Sequence, residues 1–228
     1  MLEIGWFSGM DDDALELFQG VLEAIRNKSI NVSISWVFCN NYSEEVIRKI
    51  QDIIGDDNIS VIFRDSNTFK TQLAQTNPGE PWRDLYDEEV FQALQCSIRP
   101  DIVVLAGYML FVNATLHEYY NMINLHPALP EGPKGAWRKV TQAVVEQGLE
   151  KTGTMIHGVT DKPDDPEFAV SFCEVCVKGC DVCETRRRQY RQEIFLLIET
   201  LKRLANGTMK MGDKPVDLTE SIVRMLNS

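Results

Sequence analysis

The centre of the chain carries Pro100-Asp-Ile-Val-Val-Leu-Ala-Gly-Tyr-Met109, where an apolar run follows an aspartate and ends before a glycine. The run Asp101–Leu105 has the length of a strand. It shows no alternation of apolar and polar residues, which is typical of a strand that is buried on both faces. Such strands occur in parallel sheets that helices cover on both sides. This stretch therefore predicts an α/β protein with a mostly parallel sheet.

Strand patterns and helical patterns alternate on both sides of this run. Further candidate strands cover Leu2–Phe7, Val32–Phe38, Val61–Phe63 and Met122–Leu125. Helical spacing of apolar residues lies between these strands, so the sheet is expected to be doubly wound. The segment Arg64–Arg83 lacks periodicity and is predicted to be a long loop of the kind that forms lids. With no repeat and no linker, we predict a single domain over residues 1–228.

Charge and composition exclude several classes of protein. The chain is 44% hydrophobic, which is ordinary for a globular protein and excludes a disordered one. Its formal net charge of −11 repels phosphate backbones, so we expect neither nucleic-acid binding nor binding to anionic membranes. No apolar run approaches the ~18 residues of a membrane helix. The N-terminus has the pattern of a strand and not of a signal peptide, so we expect a cytoplasmic protein.

Two polar side chains stand at the predicted end of a central strand, in Ile123-Asn-Leu-His-Pro127. Alternation along the strand puts Asn124 and His126 on the same face. Open α/β sheets bind ligands at the carboxyl ends of their strands, so this pair is a candidate site. An asparagine that caps the following loop and a histidine bonded to backbone is the structural alternative. These residues alone leave both open.

A second segment runs from a strand pattern into an acidic loop. It comprises Thr152-Gly-Thr-Met-Ile-His157 and, seven residues after that histidine, Asp164. A solvated acidic turn is one interpretation. A carboxylate that orients and charges a nearby histidine is the other.

Taken in their order along the chain, these segments resemble the folate-dependent formyltransferase family, most closely its phosphoribosylglycinamide branch. The resemblance covers most of the chain. Its most specific part is Asn124-x-His126-Pro with the downstream His157-x₆-Asp164. Weaker matches are Arg83-x₃-Asp87, Pro100–Met109, Gln192-Glu193 and Gly207.

The resemblance implies a Rossmann-like fold and an enzyme that transfers a formyl group. The donor is the co-substrate 10-formyltetrahydrofolate, and the acceptor is a small amine, by default glycinamide ribonucleotide of purine biosynthesis. The implied catalytic residues are Asn124 and His126, which stabilise an oxyanion, and Asp164, which relays protons with His126. No metal is implied. A homodimer is left open.

The resemblance also implies the residues that bind the two small molecules. Those for folate are Met109, Leu110, Phe111 and Val159; those for the amine substrate are Ser8, Gly9, Met10, Arg83 and Glu193. One departure concerns Asp11-Asp12-Asp13, which stands where the family holds the substrate phosphate on backbone amides. Two alternatives therefore stay open: a different amine such as an amino sugar, and a degenerate formyltransferase fold used as a ligand or metal sensor.

Four cysteines are spaced as C-x₂-C-x₃-C-x₂-C, a pattern typical of zinc or iron–sulfur sites: Cys173, Cys176, Cys180 and Cys183. The central spacer is short, and a strand over Cys173–Val177 points the first two thiols to opposite faces. We therefore predict thiols without a metal, the first pair on a strand and the second in the turn and helix start after it. A metal site and a redox pair stay open. The remaining two, Cys39 and Cys96, are predicted to lie in the core.

Overall fold

The computed structural model describes residues 1–227, which fall into two compact units. Unit 1 comprises residues 1–22 and 32–122, and unit 2 comprises residues 23–31 and the chain from residue 123. None of the helices within residues 1–227 has the length and apolar character needed to cross a bilayer. The division of the chain into one domain stays a prediction.

Unit 1 contains four strands in the order β3-β2-β1-β4, and every adjacent pair is parallel. The strands are β1 (Leu2–Ser8), β2 (Val32–Cys39), β3 (Ser60–Phe63) and β4 (Ile102–Leu105). The helices are α1 (Asp12–Arg26, which ends in unit 2), α2 (Glu44–Ile54), α3 (Ser66–Thr76), α4 (Trp82–Leu94) and α5 (Ala114–His117). All four residues of β4 are buried, as its unbroken apolar run predicts.

Unit 2 contains the strand order β5-β6-β7-β8, in which β6 is antiparallel to both neighbours and β7 is parallel to β8. Its strands are β5 (Met122–His126, of which Met122 belongs to unit 1), β6 (Lys151–Gly158), β7 (Ala169–Cys176) and β8 (Val216–Asp217). Its helices are α6 (Trp137–Glu146), a 3₁₀ turn (Pro166–Phe168), α7 (Val182–Ala205) and α8 (Thr219–Leu226). The α/β fold with mostly parallel strands is confirmed.

The predicted long loop over Arg64–Arg83 is wrong. Helix α3 occupies most of it, and α4 already begins at Trp82. The side chain of Asp65 starts α3 by accepting a hydrogen bond from the Thr68 N–H at 2.6 Å. Only Ser66 of this helix is buried, so its sequence needs no apolar stripe and shows none.

The cysteine-rich segment has the predicted secondary structure. Cys173 and Cys176 lie on β7, while Cys180 lies in the turn and Cys183 in the first turn of α7. Burial raises the pKa of Cys173 to about 12, which keeps this thiol protonated. Within residues 1–227, no group of three or more His, Cys, Asp or Glu side chains is placed to hold a metal ion. The metal-free state stays a prediction.

The two other cysteines differ from each other. Cys39 is buried, as predicted, and burial raises its pKa to about 11. The prediction for Cys96 is wrong, because this thiol is exposed. Helix α4 ends at Leu94, so Cys96 falls in the turn beyond the helix.

Candidate active site

The site in unit 2 is built on the antiparallel pair β5 and β6. Asn124 lies directly opposite His157, and His126 lies opposite Met155. The Asn124 amide donates a hydrogen bond from Nδ2 to His157 Nε2 at 3.0 Å. His157 Nδ1 lies 2.9 Å from the Gly158 carbonyl oxygen, to which it donates. This tautomer leaves Nε2 as the acceptor that orients the Asn124 amide.

Asp164 comes to this pair from the loop after β6. Its Oδ1 lies 3.3 Å from His126 Nδ1 and 3.5 Å from His157 Nε2, and its Oδ2 accepts a hydrogen bond from the Gly135 N–H at 2.9 Å. The backbone of Asp164 is left-handed, with φ of 50°. Aspartate tolerates this conformation better than most residues, and strained backbone clusters at functional sites. The structure thus brings together Asn124, His126 and Asp164.

His126 is buried and has an acceptor at each ring nitrogen. Its Nε2 donates to the Pro133 carbonyl oxygen at 3.1 Å, and its Nδ1 faces Asp164. Burial lowers the pKa of His126, and this effect outweighs the opposing pull of Asp164 and the Pro133 carbonyl. Both ring nitrogens therefore face an acceptor, as the protonated imidazole requires. Because of its burial, however, the protonated ring is a stronger acid than that of an exposed histidine.

For the carboxyl of Asp164, polar contacts outweigh the effect of burial on the pKa, the reverse of the case of His126. Burial opposes its ionisation, but the charge of protonated His126 and the hydrogen bond from the Gly135 N–H favour the anion, and the pKa of Asp164 is lowered. Asp164 is consequently an anion at neutral pH, placed between two histidines.

The predicted substrate residues at the start of the chain follow β1 in unit 1. Ser8 is fully buried, and its Oγ accepts a hydrogen bond from the Met10 N–H at 3.0 Å. The Gly9 N–H donates to the Gly107 carbonyl at 3.0 Å, and a Cβ on Gly9 would lie 3.2 Å from that oxygen. The Met10 side chain is buried in the core. The backbone N–H groups of Gly9 and Met10 are therefore both bonded within the chain, so the contact of this turn with a substrate stays a prediction.

The first two of the three aspartates that follow have contacts within the chain. Asp11 caps α1, because its Oδ1 accepts a hydrogen bond from the Ala14 N–H at 2.9 Å. Asp12 is exposed and pairs with Lys49 Nζ at 2.9 Å. The first turn of α1 therefore carries a carboxylate cap of its own.

Arg83 lies in α4 and pairs with a buried acid. Its Nη2 is 2.9 Å from Oδ1 of Asp87, whose side chain is fully buried and whose Oδ2 accepts the Asn113 N–H at 2.8 Å. Burial raises the pKa of Asp87, against the effect of Arg83 and these hydrogen bonds. The Arg83 guanidinium also donates to the carbonyl oxygen of Phe111. Arg83 thus ties α4 to the segment that carries the predicted folate residues.

The predicted folate residues of unit 1 show the exposure expected of a binding surface. Met109 is 59% exposed and Phe111 is 74% exposed, while Leu110 is half-buried. In unit 2, Val159 is half-buried directly after β6.

Glu193 is buried in α7, where it already has a cation. Both terminal nitrogens of the Arg186 guanidinium contact its carboxylate. Nη1 contacts Oε1, and Nη2 lies 3.3 Å from Oε2. The Arg186 guanidinium lies over the rings of Trp137, at 4.9 Å, and Tyr190, at 5.0 Å. The expected contact between Glu193 and an amine substrate stays a prediction.

Comparison with known proteins decides the family. The model of the family described as formyl transferase matches residues 12–201. The chain belongs to the formyl transferase family. This membership confirms the predicted family and the predicted enzyme class, a folate-dependent formyltransferase.

Two relatives of this formyltransferase share one name. This chain is 26% identical to phosphoribosylglycinamide formyltransferase of Dictyostelium discoideum, over 82% of this chain and 91% of that protein. It is 28% identical to the Escherichia coli (strain K12) protein of the same name, over 58% of this chain and 61% of that protein. Among solved structures, glycinamide ribonucleotide transformylase 1 from Symbiobacterium toebii has a TM-score of 0.75 at 22% identity and covers 94% of this chain and 92% of its own. That likeness shows the fold.

Two side chains near Asn124 and His126 make contacts that the sequence did not predict. His157 belongs to the motif, but its bond to Asn124 follows only from the register of β5 with β6. Gln189 lies between Arg186 and Glu193 on α7 and donates to the carbonyl next to His126. One indication for His157 was present in the sequence, its place in a strand pattern directly before an acidic loop, and none was present for Gln189.

Proposed function

We propose that this formyltransferase transfers the formyl group of 10-formyltetrahydrofolate to glycinamide ribonucleotide, the activity in the name of its relatives, with Asn124, His126 and Asp164 as catalytic residues. The observation that carries the proposal is the convergence of these three side chains within hydrogen-bonding reach of one another or of His157. A metal-free enzyme of purine biosynthesis in the cytoplasm, with small-molecule partners, belongs to the same proposal. A homodimer stays open within it.

Asn124 and His126 stabilise the charge that forms on the formyl oxygen. Attack by the amine lone pair makes the new carbon–nitrogen bond and places a negative charge on that oxygen. One N–H of the Asn124 amide is engaged by His157 and fixes the plane of the amide. The second N–H serves the oxyanion, and the positive charge of the protonated His126 ring, whose two N–H groups face Pro133 and Asp164, adds electrostatic stabilisation.

Asp164 and His126 move the protons. The attacking nitrogen must lose a proton, and N10 of the folate must gain one as its bond to the formyl carbon breaks. Ionised Asp164 accepts the proton from the amine, and the hydrogen-bonded Asp164–His126 pair, in which His126 is the stronger acid for being buried, releases one proton through Asp164 to N10. The enzyme ends the cycle in its starting protonation state.

The folate part of the proposal is supported by exposed apolar side chains. Met109 and Phe111 expose large apolar surfaces, which suit packing against a planar pterin. 10-Formyltetrahydrofolate supplies the formyl group when it is bound. Arg83 holds the backbone of this segment through the Phe111 carbonyl.

One observation favours a second acceptor class, amines without a phosphate, such as amino sugars. The Asp11 carboxylate occupies the Ala14 N–H at the start of α1, a position where backbone amides commonly hold phosphate. Two like charges about 4 Å apart near a surface repel by roughly 4 kcal/mol. The binding of a phosphate next to this carboxylate would be weakened by a repulsion of that order.

The deciding experiment measures formyl transfer from 10-formyltetrahydrofolate to glycinamide ribonucleotide, to its dephosphorylated analogue and to an amino sugar. Transfer that requires the phosphate supports the first acceptor, and equal rates with and without it support the second. Transfer to none of these amines contradicts the proposal as stated. His126→Ala is expected to lose on the order of 10²–10⁴ in rate, whereas His117→Ala, in α5, serves as the matched control.

A further inference from the structure

Gln189 is a fully buried amide in α7 that contacts three other parts of unit 2. Its Nε2 lies 2.6 Å from the Pro127 carbonyl oxygen, 3.1 Å from Thr152 Oγ1 and 3.3 Å from the Gly153 carbonyl oxygen. Its Oε1 lies 3.2 Å from the hydroxyl of Thr141 in α6. Two backbone carbonyls that face one amide can only be met by its NH₂ end, so the orientation of the side chain is determined.

The shortest of these contacts falls on the residue that follows His126. The chain turns tightly there, with the Ala128 N–H bonded to the His126 carbonyl at 2.9 Å. The turn begins the loop that returns to the imidazole, where Pro133 accepts the Nε2 proton of His126. Gln189 therefore holds the start of a loop whose far end contacts the catalytic ring.

The same loop is pressed against β6. A Cβ on Gly153 would lie 2.1 Å from the Cys173 carbonyl oxygen and 2.6 Å from Cδ2 of Leu129 in the loop. The loop thus packs on β6 at the point where Gln189 bonds β6 and Pro127 together. Little room is left for the loop to shift while these contacts persist.

We propose, on the basis of the formyl transfer proposed above, that Gln189 is a positioning residue for His126: its amide locks the Pro127–Pro133 loop and so keeps the Pro133 carbonyl on Nε2 of the imidazole. The effect is on the ring's orientation and proton. With Pro133 on Nε2, the Nδ1 edge is directed at Asp164. If the loop relaxes, the ring loses an acceptor that favours its protonated form.

Three charged or titratable groups shift the pKa of His126. They are Asp164 from the loop after β6, His157 from β6 and Lys134 from the Pro127–Pro133 loop's continuation. Asp164 favours the protonated ring, whereas His157 and Lys134 oppose it. Loss of the Pro133 contact leaves these groups in place, so the pKa of His126 should fall further below its ordinary value.

The test is the variant Gln189→Met, which keeps the length of the side chain and removes both hydrogen-bonding ends. The first readout is the titration of the imidazole signals by NMR, which is tractable because the chain has three histidines. We expect a lowered pKa for His126 and a kcat lower on the order of 10², with KM changed less than about threefold. The matched control is Gln192→Met, a buried glutamine of the same helix that contacts Cys173 and the Glu174 carbonyl on β7 instead.

An unchanged His126 titration in folded Gln189→Met, or an equal shift in Gln192→Met, would overturn the proposal. If Gln189→Met does not fold, Thr141→Val decides, because it frees the Oε1 end of Gln189 and keeps the Nε2 contacts. The other contact of the Thr141 hydroxyl, with the Trp137 carbonyl, lies within α6. A smaller shift in the same direction supports the proposal, and no shift overturns it. The titration needs no substrate, so a wild-type protein without formyl transfer would refute the proposed function and leave this test intact.

Discussion

Asn124 and His157 form a directly opposed pair across two antiparallel strands, joined by a hydrogen bond of 3.0 Å between Nδ2 and Nε2. The backbone bonding of β5 with β6 sets the distance between their Cα atoms, so the orientation of the amide depends on the sheet and not on a flexible loop. Asp164, by contrast, reaches the same histidine from a loop. The proposed oxyanion donor is therefore positioned by the pairing of two strands, and Asp164 by the contacts of its loop.

Replacing His157 tests this relationship. His157→Ala removes the acceptor that orients Asn124, so we expect kcat to fall roughly 10–100-fold with little change in KM. His157→Gln, whose side-chain carbonyl can accept the same bond, should recover part of the loss. Met155→Leu is the control for packing within β6, because it removes no hydrogen bond. Equal activity of the alanine and glutamine variants would contradict the orienting role.

Asp164 should determine how activity depends on pH. The proposed mechanism needs ionised Asp164 and protonated His126, so activity is lost at acid pH through the first group and at alkaline pH through the second. Asp164→Asn removes a charge that raises the pKa of His126, so the alkaline limb of kcat/KM should move to lower pH and kcat should fall on the order of 10². Asp161→Asn, an exposed residue of the same loop, is the control. An unmoved alkaline limb would count against the pairing of Asp164 with His126.

The same carboxyl links stability to pH. The folded pKa of Asp164 lies below its ordinary value of 3.8, so its ionisation stabilises the fold above about pH 4. This contribution is lost as the pH falls through the folded pKa. Denaturant unfolding of wild type and Asp164→Asn should therefore converge at the lowest pH values, and parallel curves throughout would rule out this linkage.

The cap of helix α1 gives a prediction on stability alone. Asp11→Ala removes the acceptor of the Ala14 N–H, and we expect the free energy of unfolding to fall by about 1 kcal/mol. Asp12→Ala should have a much smaller effect, because Asp12 is exposed and pairs with Lys49 at the surface. Urea unfolding of the two variants compares them, and an equal loss in both would show that Asp11 is not the cap.

Gly153 is predicted to tolerate no side chain. In Gly153→Ala the new Cβ would overlap the Cys173 carbonyl of the neighbouring strand, and backbone cannot move aside as a side chain can. We expect a loss of about 1–3 kcal/mol in the free energy of unfolding. Gly158→Ala, on the same strand, is the control, since its Cβ would meet nothing closer than 3.6 Å. Wild-type stability of Gly153→Ala would contradict the close packing described for β6.

Much of the fold can be predicted because burial leaves a local pattern. The apolar run at β4 and the alternating strands and helices are direct consequences of which residues face the core. Helix α3 escaped prediction for the same reason, because a helix with one buried residue carries no apolar stripe; its start is marked only by the Asp65 cap. The antiparallel direction of β6 depends on strand pairing, which periodicity does not encode.

The sequence by itself determined most of the elements and the motif segments, since these are expressed in neighbouring residues or in short spacings. The family resemblance that the motif carries, and not the spacing, implied the three candidate catalytic residues. Only the tertiary structure decided which groups meet. Asp164 is 38 positions from His126, and a left-handed turn at Asp164 together with the Gly135 contact brings them to 3.3 Å. It likewise decided that Glu193 faces Arg186 and that Gln189 faces Pro127. Such pairings arise from packing between distant segments, whose free energy no local pattern of residues records.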